Sequence, residues 1–372
     1  MRRTAPLIVG GGPAGCAAAI ALAAEGARAL VLERRREIDD ALCGGFLSWR
    51  TLRTLAMLGI EADALHRQRV GRVRILGMAR VAEAALPAPG LAVSRRRLDT
   101  AMLARAEAAG AAVERGVTVR AIAADPDMAT GGHRVEADGE TLVTEALFLA
   151  SGKHEVRGLA RPAAARGRDP TLGLRLRMPA HPALARMIGD AVELHPFRGG
   201  YAGLVIQEDG TANLCMAVKR SRLREAGSVP ALFRLLAAEA PRLGERIGHA
   251  DGLDGADAVA NVPYGWRATA GIAGLFRLGD QAGVIPSLAG EGMGIAVATG
   301  RAAAAAWAAG GGADRGGMAA AGWQRDMAAA LRRPLAVAGA ARWWAEHGGG
   351  ATLPWLPPAA IRLGAGLTRF DP

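Results

Sequence analysis

Lysine is nearly missing from this chain: of 46 basic residues only Lys153 and Lys219 are lysines. The net charge of +11 is therefore carried by arginine, in a sequence rich in alanine and glycine. That pattern fits a compositional bias better than a nucleic-acid footprint. Aromatic residues make up 4% of the chain, too few for base-stacking platforms. No nucleic-acid partner is expected. The three cysteines, Cys16, Cys43 and Cys215, are far apart and form neither a Cys-x-x-Cys pair nor a metal spacing. A structural disulfide and a metal site are not expected, whereas a reducing, cytoplasmic setting is. No uninterrupted apolar run reaches the ~18 residues of a membrane-spanning helix. Arg2 and Arg3 before an apolar stretch imitate an export signal. That stretch breaks at Gly10-Gly11-Gly12-Pro13, so a strand, turn and helix are preferred to a signal peptide.

At 38.2 kDa and 51% hydrophobic residues, the chain is long enough for two structural units. Residues 5–9 read as a buried strand. "AGCAAAIALAAEG" reads as a helix and "ARALVLE" as the next buried strand, which together make one βαβ unit. Residues 48–60 and 94–110 read as helices ending at glycine, and 69–90 as an exposed hairpin. Strands are expected over 112–123, 132–138 and 142–150. From about 159 to 265 the texture becomes antiparallel, with a turn at 208–210 and a helix over 230–248. "GLFRLGD" returns to a buried strand, 291–309 is a helix, and the last forty residues are helical pieces.

Two motifs carry chemistry. Gly10-Gly11-Gly12-Pro13-Ala14-Gly15 satisfies G-x-G-x-x-G between a strand and a helix, and Glu33 ends the following strand. Gly10 permits the tight turn, Gly12 the approach of a pyrophosphate, and Gly15 close helix packing. The helix N-terminus favours phosphate, and Glu33 suits the ribose hydroxyls. Arg34, in the run Arg34–Arg36, reads either as an adenine-side phosphate contact or as a solvated charge. The second motif is "GDQAGVIPSLAGEGMG". Asp280 follows Gly279 at the end of a buried strand, where ligands bind in open α/β sheets. Gly290, Gly292 and Gly294, with Met293 among them, let backbone touch a flat ligand. A remote carboxylate serves the ribitol of FAD and has no counterpart need in NAD. FAD is the expected cofactor.

"GGGPAG…E" and "GD…PSLAGEGMG" together resemble the FAD-dependent oxidoreductases of the geranylgeranyl reductase and aromatic hydroxylase superfamily. "LCGGFLSWRTLRTLAMLG" and "AGEGM" look most like the geranylgeranyl reductase branch. The resemblance implies that Asp280 holds the ribitol, that Arg95 of Arg95-Arg96-Arg97-Leu98 lies near the FAD, and that Cys43 and Gly44 border the flavin. Cys43 reads either as a thiol that donates a proton or touches substrate, or as a small residue in a tight turn. Three departures stand out. Where hydroxylases carry D-G-x-x-S-x-x-R, this chain has Ser151-Gly152-Lys153-His154-Glu155-Val156-Arg157. The loss of Asp and Ser counts against direct NADPH reduction and monooxygenation. Only Tyr201 remains of an aromatic-rich strand, and Pro286 stands one place early.

The expected fold is α/β. A Rossmann-type FAD-binding domain with a parallel sheet spans 1–66, 92–158 and 266–330. An inserted α+β substrate domain spans 67–91 and 159–265, and a C-terminal helical segment spans 331–372. His195, Tyr201 and Pro286 are the candidate substrate residues, although a lone strand histidine is more often structural. The expected function is reduction or dehydrogenation of an apolar polyketide-, quinone- or isoprenoid-like molecule. Its electrons would come from NADPH, NADH or a separate donor protein. A flavin monooxygenase is the alternative, and a non-catalytic electron-relay flavoprotein is the reading of another class. Trp343 and Trp344 read as packing for a terminal helix or as a peripheral membrane contact.

Overall fold

A computed structural model describes residues 2–3, 6–128, 131–312 and 316–370. At its centre lies a five-stranded parallel sheet in the order Leu275–Arg277, Leu147–Leu149, Leu7–Val9, Leu30–Glu33, Ala112–Arg115. Leu7, Ile8 and Leu147 are fully buried, as strands covered on both faces require. The helices Pro13–Ala24 and Gly292–Ala309 share one alanine-rich core with this sheet. Small side chains there let backbone approach backbone.

Two of the expected strands are each divided. Residues 112–123 split into Ala112–Arg115 in the parallel sheet and Val119–Ala124 in a four-stranded sheet. The break falls at Gly116, whose φ is +80°. Residues 142–150 likewise split into Glu140–Thr144 and Leu147–Leu149. Here the Thr144 hydroxyl takes the N–H of Ala146 at 3.2 Å and ends the first strand. Local polar competition with the ladder overrides the hydrophobic run.

An eight-stranded sheet faces the parallel one. Its order is Asp257–Val262, Thr171–Met178, Ala212–Lys219, Gly200–Ile206, Ala191–Phe197, Arg69–Leu76, Val81–Ala92, Phe46–Leu47. Every pair is antiparallel except Ala191–Phe197 with Arg69–Leu76. The hairpin over 69–92 is thus joined to the 171–262 strands edge to edge. Helices Val229–Glu239 and Pro241–Ile247, divided at Pro241, cover its outer face. A 27-residue helix, Ala320–Glu346, runs along both units and starts before the expected position 331. Leu331 and Leu335 pack in the core of the parallel sheet, and Ala345 packs against the eight-stranded one. Gly349–Thr352 and Pro358–Leu367 complete the chain's helices. No helix among the described residues is long and apolar enough to cross a membrane.

On the outer face Glu193 is fully buried. Arg74 reaches it at 3.1 Å, Arg246 at 3.0 and 3.1 Å, and His195 at 3.2 Å. Burial by itself would raise the Glu193 carboxyl, but the His195 and Arg246 hydrogen bonds outweigh it and bring the pKa down to about 2. A depressed carboxyl contributes stability above its unfolded value, 4.5, and loses it as pH falls toward about 2. The urea midpoint should therefore drop through that window more steeply in the native protein than in Glu193→Gln. Parallel pH profiles for the two would show that this network does not carry the effect.

Candidate flavin and substrate cavity

The first glycine turn is built by contacts that exclude any side chain. Gly10 has φ +107°, and a Cβ there would stand 2.5 Å from the carbonyl oxygen of Ala150. A Cβ at Gly15 would overlap the carbonyl oxygen of Gly10, so only glycine lets the helix sit this close to the strand. At Gly12 a Cβ would meet nothing nearer than the Arg95 guanidinium, at 3.6 Å. Gly12 caps the helix without a side-chain bond, and Pro13 opens it. The first N–H groups are thus left to the space in front of them.

Glu33 faces the same space. Its carboxylate accepts the Gly11 N–H at 2.7 Å and the Arg35 N–H at 2.9 Å. Arg34 turns to His154, Nη2 to Nε2 at 2.8 Å. Burial, then the charges of Arg34, Arg35 and Lys153, lower the His154 pKa, so its neutral ring accepts. Arg95 is held by a bidentate pair to Asp99 at 2.7 and 2.8 Å. Opposite, Asp280 meets Lys153, Oδ2 to Nζ at 3.1 Å. Lys153 therefore points inward, where the default for its loop is a surface position. The loop is drawn in by Gln281, which donates to the carbonyls of Gly152 at 2.9 Å and His154 at 3.0 Å. Arg161, buried itself, bonds the carbonyls of Asp280 and Gly152.

The Cys43–Gly44 loop lies across this space. Cys43 is half-buried, and its carbonyl accepts the Asn213 amide at 3.0 Å. Gly290, at φ +62°, passes 2.9 Å from Phe46 as a Cβ would measure it. Tyr201, fully buried, accepts the Leu288 N–H at 3.1 Å and pairs with the Ser287 hydroxyl at 2.9 Å. Tyr264 donates to the same hydroxyl at 2.9 Å. Burial raises both phenols, Tyr264 to about 12, so both keep their protons.

These groups line one continuous cavity of about 980 Å³. Gly10, Gly12, Pro13, Ala14, Glu33, Arg34, Cys43, Gly44, Arg95, Gly279, Asp280, Gly290, Gly292, Met293 and Tyr201 all border it. Gly15 lies behind the turn. Pro286 sits between two lining residues, Ile285 and Ser287, and is not itself in the wall. His195 is set apart from the cavity. Its side chain lies on the outer face with Glu193 and Arg246, and burial lowers its pKa. Leu194 and Pro196 of the same strand line the cavity instead; side chains alternate across a sheet, so a one-residue difference decides the face.

Sequence reasoning puts Lys153 at a strand end near the expected site but defaults it to a surface loop, and it gives no role to Tyr264, Ser287 or the pair Glu291–Arg369. The last is a buried ion pair at 2.6 Å that ties the chain's end to the glycine loop. The signal for Lys153 was its position just past a strand's C-terminal end. Arg369 has no local signal. As a test of fit, FAD needs a diphosphate cradle, acids for two sugars, and room for a ring system. The open Gly12 backbone, Glu33, Asp280 and the long cavity supply these.

Residues 3–157 match the family described as "FAD binding domain". A menaquinone reductase of Mycolicibacterium smegmatis is 29% identical over 324 residues, covering 82% of this chain and 76% of that protein. Two solved structures share the fold. One is a geranylgeranyl bacteriochlorophyll reductase-like protein of Thermoplasma acidophilum, with TM-score 0.71 and 21% identity over 100% of this chain and 94% of that one. The other is PqsL, a probable FAD-dependent monooxygenase from Pseudomonas aeruginosa, with TM-score 0.69 and 16% identity over 95% and 99%. With an FAD binding domain over 3–157 and this similarity to a menaquinone reductase, the protein is an FAD-dependent oxidoreductase.

Proposed function

We propose that the protein reduces or dehydrogenates an apolar, quinone- or isoprenoid-like molecule held in the far end of the cavity. In this reading the turn Gly10–Gly15 and its helix bind the diphosphate, Glu33 the ribose, and Asp280 with Lys153 the ribitol. Bound FAD would supply two-electron transfer, and the remaining work falls to the chain's own residues. The observation that carries the reading is the composition of the far end. It is one apolar cluster that includes Val73, Ile75, Leu86, Leu353 and Ile361, continuous with the nucleotide end.

Such walls bind by burial and exclude water, which strengthens every polar interaction inside. Tyr201 and Tyr264, both protonated and both on Ser287 Oγ, hold a proton at the edge of this chamber. Ser151 and Glu155 stand where hydroxylases carry the Asp and the Ser of D-G-x-x-S, which supports reduction over oxygen insertion. The similarity to a menaquinone reductase favours a quinone-bearing lipid over a free aromatic acid.

The test is product mass. The flavoprotein is reduced chemically without oxygen and mixed with a polyprenyl naphthoquinone. A gain of two hydrogens in the product is expected, and air should not be required. A product heavier by one oxygen, formed only in air, would replace this reading by a monooxygenase. A reduced flavin reoxidised by an artificial one-electron acceptor, with the quinone left unchanged, would replace it by an electron relay.

A further inference from the structure

We propose that the C-terminal segment, together with the 77–80 turn, docks the protein on an anionic lipid bilayer at the outer wall of the apolar chamber. Of the large apolar side chains that stand exposed among the described residues, Met78, Trp343, Trp344, Trp355 and Leu363 belong to these two pieces. Trp343 is 64% exposed, Trp355 68% and Met78 70%. Contacts hold the pieces together. The Arg80 guanidinium lies 4.3 Å over the Trp355 ring. The Trp344 indole N–H donates to Thr352 at 2.7 Å. Gly77 is pressed against Pro354, where a Cβ would come within 2.6 Å of the proline ring. Exposed apolar groups gathered in this way mark an interaction surface.

Three observations select a bilayer as the occupant. First, the segment is apolar on both sides. Leu353, Leu356 and Ile361 face the cavity, while Trp355 and Leu363 are exposed, so the segment is part of the chamber wall on one side and open to what lies beyond on the other. Second, the charge has one sign. From 331 to 370 the acid is Glu346, which is buried and paired with Arg342 and Lys219. The exposed charges are Arg332, Arg333 and Arg362, joined by Arg80 from the turn. Each such group near an anionic leaflet contributes about 1 kcal/mol. Third, tryptophan beside arginine is the chemistry of a membrane interface, where an amphipathic ring sits at headgroup level. A second copy of this chain fits less well, because a self-complementary contact would set the same arginines against each other. The proposal rests on the reading of the chamber as an apolar-substrate site, since it gives that substrate a route from the bilayer.

The experiment is flotation of the intact flavoprotein with vesicles of phosphatidylglycerol and phosphatidylcholine, and with phosphatidylcholine alone. Binding to the anionic vesicles, weakened by salt, is expected. Trp343→Ser and Trp355→Ser together should weaken it by about tenfold or more, with flavin content and melting temperature unchanged. Native protein that stays unbound with both vesicles overturns the proposal. So does a double variant that floats as well as the native protein. Tryptophan-dependent dimers without vesicles would assign the patch to a second copy instead. Flotation is scored without turnover, so a failed reduction assay would sink the chamber reading and leave the docking result intact.

Discussion

Gly12→Val is expected to give a folded protein with no flavin. The backbone at Gly12 is extended, φ −76° and ψ −174°, a region that suits a β-branched residue. The nearest protein atom to a Cβ there is the flexible Arg95 guanidinium at 3.6 Å. The fold therefore has no reason to object. The new side chain would instead fill cavity space at the helix N-terminus, where a diphosphate would stand. Flavin affinity should fall by about a hundredfold or more, roughly 3 kcal/mol, while the far-ultraviolet circular dichroism stays native. Gly15→Ala makes the contrast. Its Cβ would overlap the Gly10 carbonyl, a backbone clash that no side-chain movement relieves, and the protein should be insoluble. The flavin-to-protein ratio from visible absorbance checks both. Yellow Gly12→Val protein at full flavin content would remove the glycine turn from the cofactor site.

Arg369→Met is expected to be the most destabilising single change far from that turn. Arg369 bonds the carbonyls of Ala289 and Gly290 and pairs with Glu291, and its guanidinium stacks 5.3 Å over Trp49. Glu291 is fully buried, and burial raises its carboxyl. Removing the arginine strands that acid, at a cost of about 3–5 kcal/mol. Against a total of roughly 5–15 kcal/mol this is a large fraction. Because the loop 286–292 borders the cavity, flavin should be released at a lower temperature as well. The double change Arg369→Met with Glu291→Gln should recover much of the loss, since no buried charge is then uncompensated. Urea midpoints of the three proteins decide it. A single variant that unfolds with the native protein would show that the latch carries no weight.

These two sites differ in how far they could be read in advance. The glycine turn is local: strand, turn and helix lie within thirty residues, and the sterics of Gly15 involve Gly10 and Ile8 just before it, although those of Gly10 also involve Ala150 at the end of the neighbouring strand. Asp280 could be placed for the same reason, as the residue just past a buried strand. The hairpin at 208–210 and the helix caps at Ser48 and Ser94 follow from side-chain chemistry within three residues. His195 could not be placed, because only the pairing of its strand with Arg69–Leu76 and Gly200–Ile206 decides which face a given residue takes. Lys153 reads as surface until Gln281 and Arg161 draw its loop inward.

By itself, then, the sequence determined the short-range pieces: where the chain must turn, where a helix begins, and where a carboxylate ends a strand. Tertiary structure alone decided that residues between 337 and 369 help wall an apolar chamber, that Arg369 locks a loop 78 residues away, and that Arg80 of a distant turn stacks over Trp355. The physical reason is range. Backbone sterics and capping act over a few residues, whereas burial, charge pairing and cavity shape depend on segments that only folding brings together.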